Sequence, residues 1–153
     1  MNKDLTKEMI IVSMNDANIT TEDRPIIGTY ALATCLGVLL YSEEKKKAIV
    51  AHVVASNPIY TLDKIFNLLI KNKLLNTPIK YKIILGYYKD AIEHYNTIEI
   101  LEKHFKDFIQ YDGEIDINID DTLGANAFAF DASTGRFVTS SIIKDTTNNF
   151  RNR

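Results

Sequence analysis

Two apolar runs on either side of a short charged cluster decide most of what this chain can fold into. From Ile27 to Tyr41 the sequence is almost without charge and rich in Ala, Leu and Gly. Glu43, Glu44, Lys45, Lys46 and Lys47 follow, and a second apolar run spans Ala48 to Ala55. The combination suggests a hairpin with the charges at its tip, although Ala31 to Tyr41 taken alone suits a buried helix equally well. If Leu32 to Tyr41 pairs with Lys46 to Val53 around Glu43 and Glu44, the cysteine Cys35 lies directly across from His52. Residues so placed hold their Cβ atoms roughly 4.5–5.5 Å apart. Thr29, six residues before Cys35, shares its face if the strand runs unbroken. A register slip of one residue would put thiol and imidazole on opposite faces.

The flanking sequence supplies the rest of an α/β domain. Lys7 to Ser13 reads as a strand and Asn15 to Pro25 as a loop. Thr61 is placed to cap a helix whose Leu62, Ile65, Phe66, Leu69 and Ile70 share a face, with its end expected near Asn76 and Pro78. Lys80 to Tyr87 reads as a strand, and Asn96 with Glu99 forms a capping box for a second helix carrying Ile98, Leu101, Phe105 and Phe108. Glu114 to Ile119 alternates as a strand. Ala127 to Phe130 and Phe137 to Ile143 flank the turn sequence Asp131 to Gly135, giving a second hairpin. The expected architecture is a single α/β sandwich over residues 1–144, largely antiparallel, with two main helices on sheet faces and a polar tail over 145–153.

Composition narrows the function classes. A chain of 153 residues can bury roughly 70% of its unfolded surface, so neither disulfides nor metals are required for a core. A formal charge of -2 leaves no basic excess, and nucleic acid is not an expected partner. Met1 to Leu5 lacks the apolar stretch of a secretory signal, and no run approaches the 18 or so apolar residues of a span. A cytoplasmic protein without membrane insertion is expected.

Cys35 is the single cysteine, which excludes an internal disulfide and a multi-cysteine metal site. It is either a small buried hydrophobe or a reactive thiol. His52 is either a satisfied core histidine or a base, and Thr29 a strand residue or the group that orients the imidazole. A free thiol, with a pKa of about 8.5, is mostly protonated at neutral pH, whereas an adjacent imidazole can hold a thiolate–imidazolium pair. A third group accepting a bond from the other ring nitrogen fixes the tautomer. His94 and His104, among charged neighbours in or near the second helix, read as residues of a solvated face.

These residues fall into a pattern that resembles the CheD family of chemoreceptor glutamine deamidases. Val12 to Ala17, VSMNDA, is similar to the family's Val-Gly-Met-Ala-Asp segment. Thr29 to Tyr41, TYALATCLGVLLY, is similar to Thr-Leu-Gly-Leu-Gly-Ser-Cys-Val and the apolar residues after it, and Ala48 to Val54, AIVAHVV, to Gly-Gly-Met-Ala-His-Ile-Met. Six residues from Thr29 to Cys35 and seventeen from Cys35 to His52 match the family's catalytic spacings. Asp121 to Asn126 resembles Asp-Leu-Gly-Gly-Asn, and Phe130 to Arg136 resembles the family's Phe-x-x-x-Thr-Gly hairpin. The departures are Ala33-Thr34 in place of Gly-Ser before the cysteine, Ala125 in place of a glycine, and a shortened segment before the last hairpin.

The resemblance implies a cysteine-dependent protein-glutamine deamidase that needs no cofactor or metal, with Cys35 as nucleophile, His52 as base and Thr29 as orienting group. Its expected substrate is a glutamine-bearing protein such as a chemoreceptor, with a CheC-like protein as a possible regulator. Two alternatives stay open: a non-catalytic binding module for a CheC-like or receptor partner, and a toxin or effector deamidase acting on a host protein.

Overall fold

A computed structural model describes residues 9–86, 92–108 and 126–138. Among these residues there are eight strands in two four-stranded sheets and two helices. The first sheet has the order β1 (Met9–Ile11), β3 (Ile26–Leu32), β7 (Asn126–Asp131), β8 (Arg136–Phe137), with β1 parallel to β3 and the other pairs antiparallel. The second is antiparallel throughout, in the order β2 (Ala17–Ile19), β5 (Lys47–Val53), β4 (Leu36–Ser42), β6 (Lys80–Leu85). Helices α1 (Pro58–Lys71) and α2 (Ile92–Phe108) cover one face of the second sheet.

The two long apolar runs are apolar because their strands are buried on both faces. Along β4, Leu39 and Tyr41 join Val50 and Ala48 of β5 in a core shared with Ile27, Leu32, Phe128 and Phe130 of the first sheet. The alternate residues Leu36, Val38 and Leu40 pack with Ile49, Ala51 and Val53 against Leu62, Ile65 and Leu69 of α1 and Leu101 and Phe105 of α2. The layers therefore run sheet, sheet, helices. The expected α/β sandwich of mostly antiparallel strands with two helices is what forms, and the buried-helix reading of Ala31 to Tyr41 gives way to strands.

The expected hairpin register is corrected by two residues. The connection takes four residues, Glu43 to Lys46, so Ser42 pairs with Lys47 and it is Gly37, not Cys35, that faces His52. A two-residue tip made of Glu43 and Glu44 would need positive φ at one or both positions, which glutamate does not favour. The longer turn places a single left-handed residue, Lys46, at φ 54. A shift of this size is even, so it preserves the face on which each side chain lies.

The expected unbroken strand from Thr29 through Cys35 is also corrected. β3 ends at Leu32, a bend over Ala33 to Cys35 carries the chain to the other sheet, and β4 begins at Leu36. Just before the bend, Thr29 pairs with Phe128 and Leu32 with Asn126, which leaves one extra residue on β3 and defines a bulge. The bulge sets Ala31 on the surface at φ 58, and it lets both Thr29 and Leu32 be buried although their separation is odd. An alanine in the left-handed region is strained by roughly 1–2 kcal/mol, more than a glycine loses in backbone entropy. Ala31→Gly is accordingly expected to stabilise the fold by about 0.5–1 kcal/mol, read as a higher urea midpoint. An unchanged or lower midpoint would count against a left-handed residue at the bulge.

Local boundaries differ elsewhere for identifiable reasons. The loop expected over Asn15 to Pro25 contains β2, whose Ala17 and Ile19 pair with Ala51 and Ile49. α1 starts three residues before Thr61, with Pro58 in its first turn and Asn57 at the N-cap, a position proline suits because its missing N–H is not needed there. It ends at Lys71, earlier than expected, because Lys73 at φ 57 closes it with bonds from the Lys73 N–H to the Ile70 carbonyl and from the Leu74 N–H to the Leu69 carbonyl. α2 starts by Ile92, so Asn96 is interior and not a cap. The second hairpin forms with Gly135 at φ 72. The strand at Glu114 to Ile119, the Asp121 to Ala125 motif, the Phe108 side chain, the hairpin beyond 138 and the tail lie outside the described residues.

Candidate active site

Three chain segments meet at one end of the core between the sheets. β3 brings Thr29 from the first sheet, β5 brings His52 from the second, and the bend between β3 and β4 brings Cys35. Thr29 and His52 are 1% and 3% exposed and Cys35 is 8% exposed, so all three are buried. His52 faces a glycine across the ladder, and that glycine makes room for the neighbouring sheet: a Cβ on Gly37 would lie 2.5 Å from a ring carbon of Phe128.

The imidazole of His52 is fixed from both sides. Its backbone N–H donates to the Asp16 carbonyl (3.0 Å), and its carbonyl accepts from the Asn15 N–H (2.8 Å). The turn that supplies these partners is tied in turn to α1, where Lys64 pairs with Asp16 at 3.1 Å. Its ring Nδ1 lies 2.8 Å from the Thr29 hydroxyl, which itself donates to the Val12 carbonyl at 2.7 Å. The proton count then assigns the tautomer. A hydroxyl has one proton, and a carbonyl can only accept, so the Thr29 proton is committed to Val12 and Nδ1 must be the donor in the bond to Thr29. Neutral His52 therefore carries its lone pair on Nε2. This atom is buried and has no hydrogen-bond partner among the described residues, an uncommon condition for a polar atom inside a protein.

Cys35 lies on the same inter-sheet side as His52, but diagonal to it, two positions along from Gly37. Diagonal neighbours across a ladder are separated by roughly 7–8 Å, with Cβ atoms somewhat closer. The expected hydrogen bond between the thiol and His52 is not formed. Catalytic contacts of this type are often long in an unliganded site and tighten with substrate.

The expected thiolate–imidazolium pair is not the resting state either. Burial pushes the Cys35 thiol up, with the Thr34 hydroxyl offsetting part of the effect, and burial alone pushes His52 down to about 4. Both directions favour neutral forms. The orienting partner of His52 is a hydroxyl, which carries no charge to hold an imidazolium, so a neutral thiol beside a neutral imidazole is the resting arrangement. Neutral His52 so has an open electron pair on Nε2, and the thiol keeps its proton at rest.

His94, expected on a solvated face, is fully buried instead. It sits in the first turn of α2 and its Nε2 lies 2.8 Å from the carbonyl oxygen of Thr34, the residue before Cys35. Thr97, one turn later, donates to the Ala55 carbonyl at 3.0 Å, just beyond His52 on the chain. The same helix face so fastens both segments that carry the cysteine and the histidine. The sequence signal was present: His94 and Thr97 continue the Ile98, Leu101, Phe105 stripe backwards by one turn. Gly86 has a related role, since a Cβ there would lie 2.2 Å from the Ala33 oxygen and 2.5 Å from the Cys35 oxygen. His104 is half-buried, with Nδ1 bonded to the Ile100 carbonyl of its own helix.

No group of side chains among the described residues has the composition of a metal site. No helix among them is long and apolar enough to cross a membrane. No protein-family model matches the chain, and no curated protein matches its sequence.

Proposed function

We propose that the chain is a cysteine-dependent protein-glutamine deamidase, in which His52 deprotonates Cys35 and Thr29 orients His52. The observation that carries this reading is the buried, unspent lone pair on His52 Nε2. It is held in that state by the Thr29 and Val12 bonds, on the same side of the sheet as the chain's single cysteine. What sets His52 apart from His94, whose open nitrogen is Nδ1, is that the segment carrying the cysteine lies on this side of the sheet. The similarity of the threonine, cysteine and histidine segments to the CheD pattern supplies the substrate class.

In the proposed reaction Nε2 takes the thiol proton as Cys35 Sγ attacks the carboxamide carbon of a glutamine side chain. The C–N bond then breaks, and the imidazolium returns its proton to the departing ammonia. A water molecule, deprotonated by the same Nε2, attacks the thioester carbon. The C–S bond breaks, the sulfur regains a proton, and glutamate is released. Throughout, Nδ1–H stays bonded to Thr29, so the ring does not turn between the two half-reactions. A chemoreceptor-like protein is the proposed substrate.

One observation favours a second reading, a non-catalytic module that binds a CheC-like or receptor partner: Cys35 is buried and its thiol is held above its ordinary value. Mass spectrometry separates the two. Incubation of a candidate substrate with the protein should add about 1 Da per converted glutamine, as an amide becomes an acid through the thioester. The gain should be absent with Cys35→Ala. Binding of the candidate without any mass change would favour the second reading.

A further inference from the structure

We infer that His94 is a positioning residue for this site, which aims the backbone N–H of Cys35 at the oxyanion of the tetrahedral intermediate by holding the carbonyl of Thr34. The inference rests on the proposed thiol chemistry but concerns a residue outside the Thr29, Cys35, His52 set.

The argument starts from the peptide group. Thr34 C=O and Cys35 N–H belong to one planar trans unit and point in opposite directions. A carbonyl only accepts, so His94 must donate through Nε2–H to the Thr34 oxygen at 2.8 Å. The grip on the oxygen fixes the direction of the Cys35 N–H as well. The neighbouring carbonyls are held on the same loop: the oxygens of Ala33 and Cys35 lie so close to the Cα of Gly86 that no side chain fits between. Among the described residues no backbone acceptor takes the Cys35 N–H. A donor that is fixed in direction, without a backbone acceptor among the described residues and attached to the nucleophile's own residue, is suited to stabilise a developing oxyanion in acyl transfer. His94 itself is fully buried, and its Nδ1 has no partner among the described residues, so the ring has been placed there for the bond on its other nitrogen.

The test compares two reactions of the same sulfur in the intact chain. Acylation by p-nitrophenyl acetate passes through a tetrahedral oxyanion, whereas alkylation by iodoacetamide at alkaline pH does not. Replacing His94 by Asn leaves an amide too short to reach Thr34, while Gln extends its amide to about the position of Nε2. His94→Asn is expected to slow acylation by about 100-fold, the scale of losing one oxyanion donor, with alkylation unchanged within about two-fold. His94→Gln should recover most of the acylation rate. Equal loss of both reactions in His94→Asn would show that His94 only keeps the loop folded, and an unchanged acylation rate would show that it does not aim the N–H; either overturns the inference. A wild-type chain that acylates but deamidates no protein would overturn the proposed function while leaving this result standing.

Discussion

Cys35→Ser should melt within about 1 °C of wild type and release no detectable ammonia from a protein substrate, a loss on the order of 10⁴-fold or more. The stability half of this expectation follows from packing and pairing: an oxygen in place of sulfur removes little volume from the inter-sheet core, and the bond to the Thr34 side chain keeps the new hydroxyl from being buried unpaired. The activity half follows from acidity. In the proposed mechanism the electron pair of a neutral His52 takes the nucleophile's proton during attack, and an alcohol gives that proton up far less readily than a thiol. The burial that already pushes the thiol up would penalise an alkoxide more severely. Ammonia release measured beside thermal denaturation separates the two halves. Activity at wild-type level in Cys35→Ser would remove the sulfur from the mechanism, and with it the deamidase reading.

The site was legible in the sequence wherever it depended on which side of a sheet a residue takes, and illegible where it depended on how the chain changes sheets. Cys35 and His52 do share a side, because hairpin periodicity survives an even register shift. Thr29 reaches His52 by another route than the one the spacing suggested: it does not share a strand with Cys35 but comes from the opposing sheet. The bulge at Ala31 and the bend after Leu32 make that possible, and a left-handed alanine leaves no mark in composition or periodicity. Ala33 and Thr34 stand where the resembled pattern has Gly-Ser. Neither has a positive φ, and the close backbone approach that demands a glycine falls on Gly86 instead, far away in sequence. His94 is buried although charged residues flank it, because it continues the apolar stripe of its helix. Where a helix lies over a loop, the buried face is set by what it covers.

The second large effect is on stability in acid, and its sign follows from His52. In the folded chain burial lowers this imidazole from 6.5 to about 4, so between those values the unfolded chain binds a proton that the folded chain refuses. Stability therefore falls as the pH falls through that window; the contribution is complete above about pH 6.5 and lost below about pH 4. Two to three pKa units correspond to about 3 kcal/mol, of which about 2–3 kcal/mol should disappear between about pH 7 and pH 4.5. That is a large share of what holds a domain of this size together. His52→Asn is the control, since its amide keeps a donor near the Thr29 hydroxyl and has no proton to gain. It should be less stable than wild type at neutral pH because of the space it leaves, yet lose about 2–3 kcal/mol less on acidification. Urea denaturation of both proteins at the two pH values measures the difference directly. If His52→Asn loses as much as wild type, the imidazole is not held neutral in the fold. The base assigned to it, with its open Nε2, would then already be protonated in mild acid and unable to take a proton from Cys35.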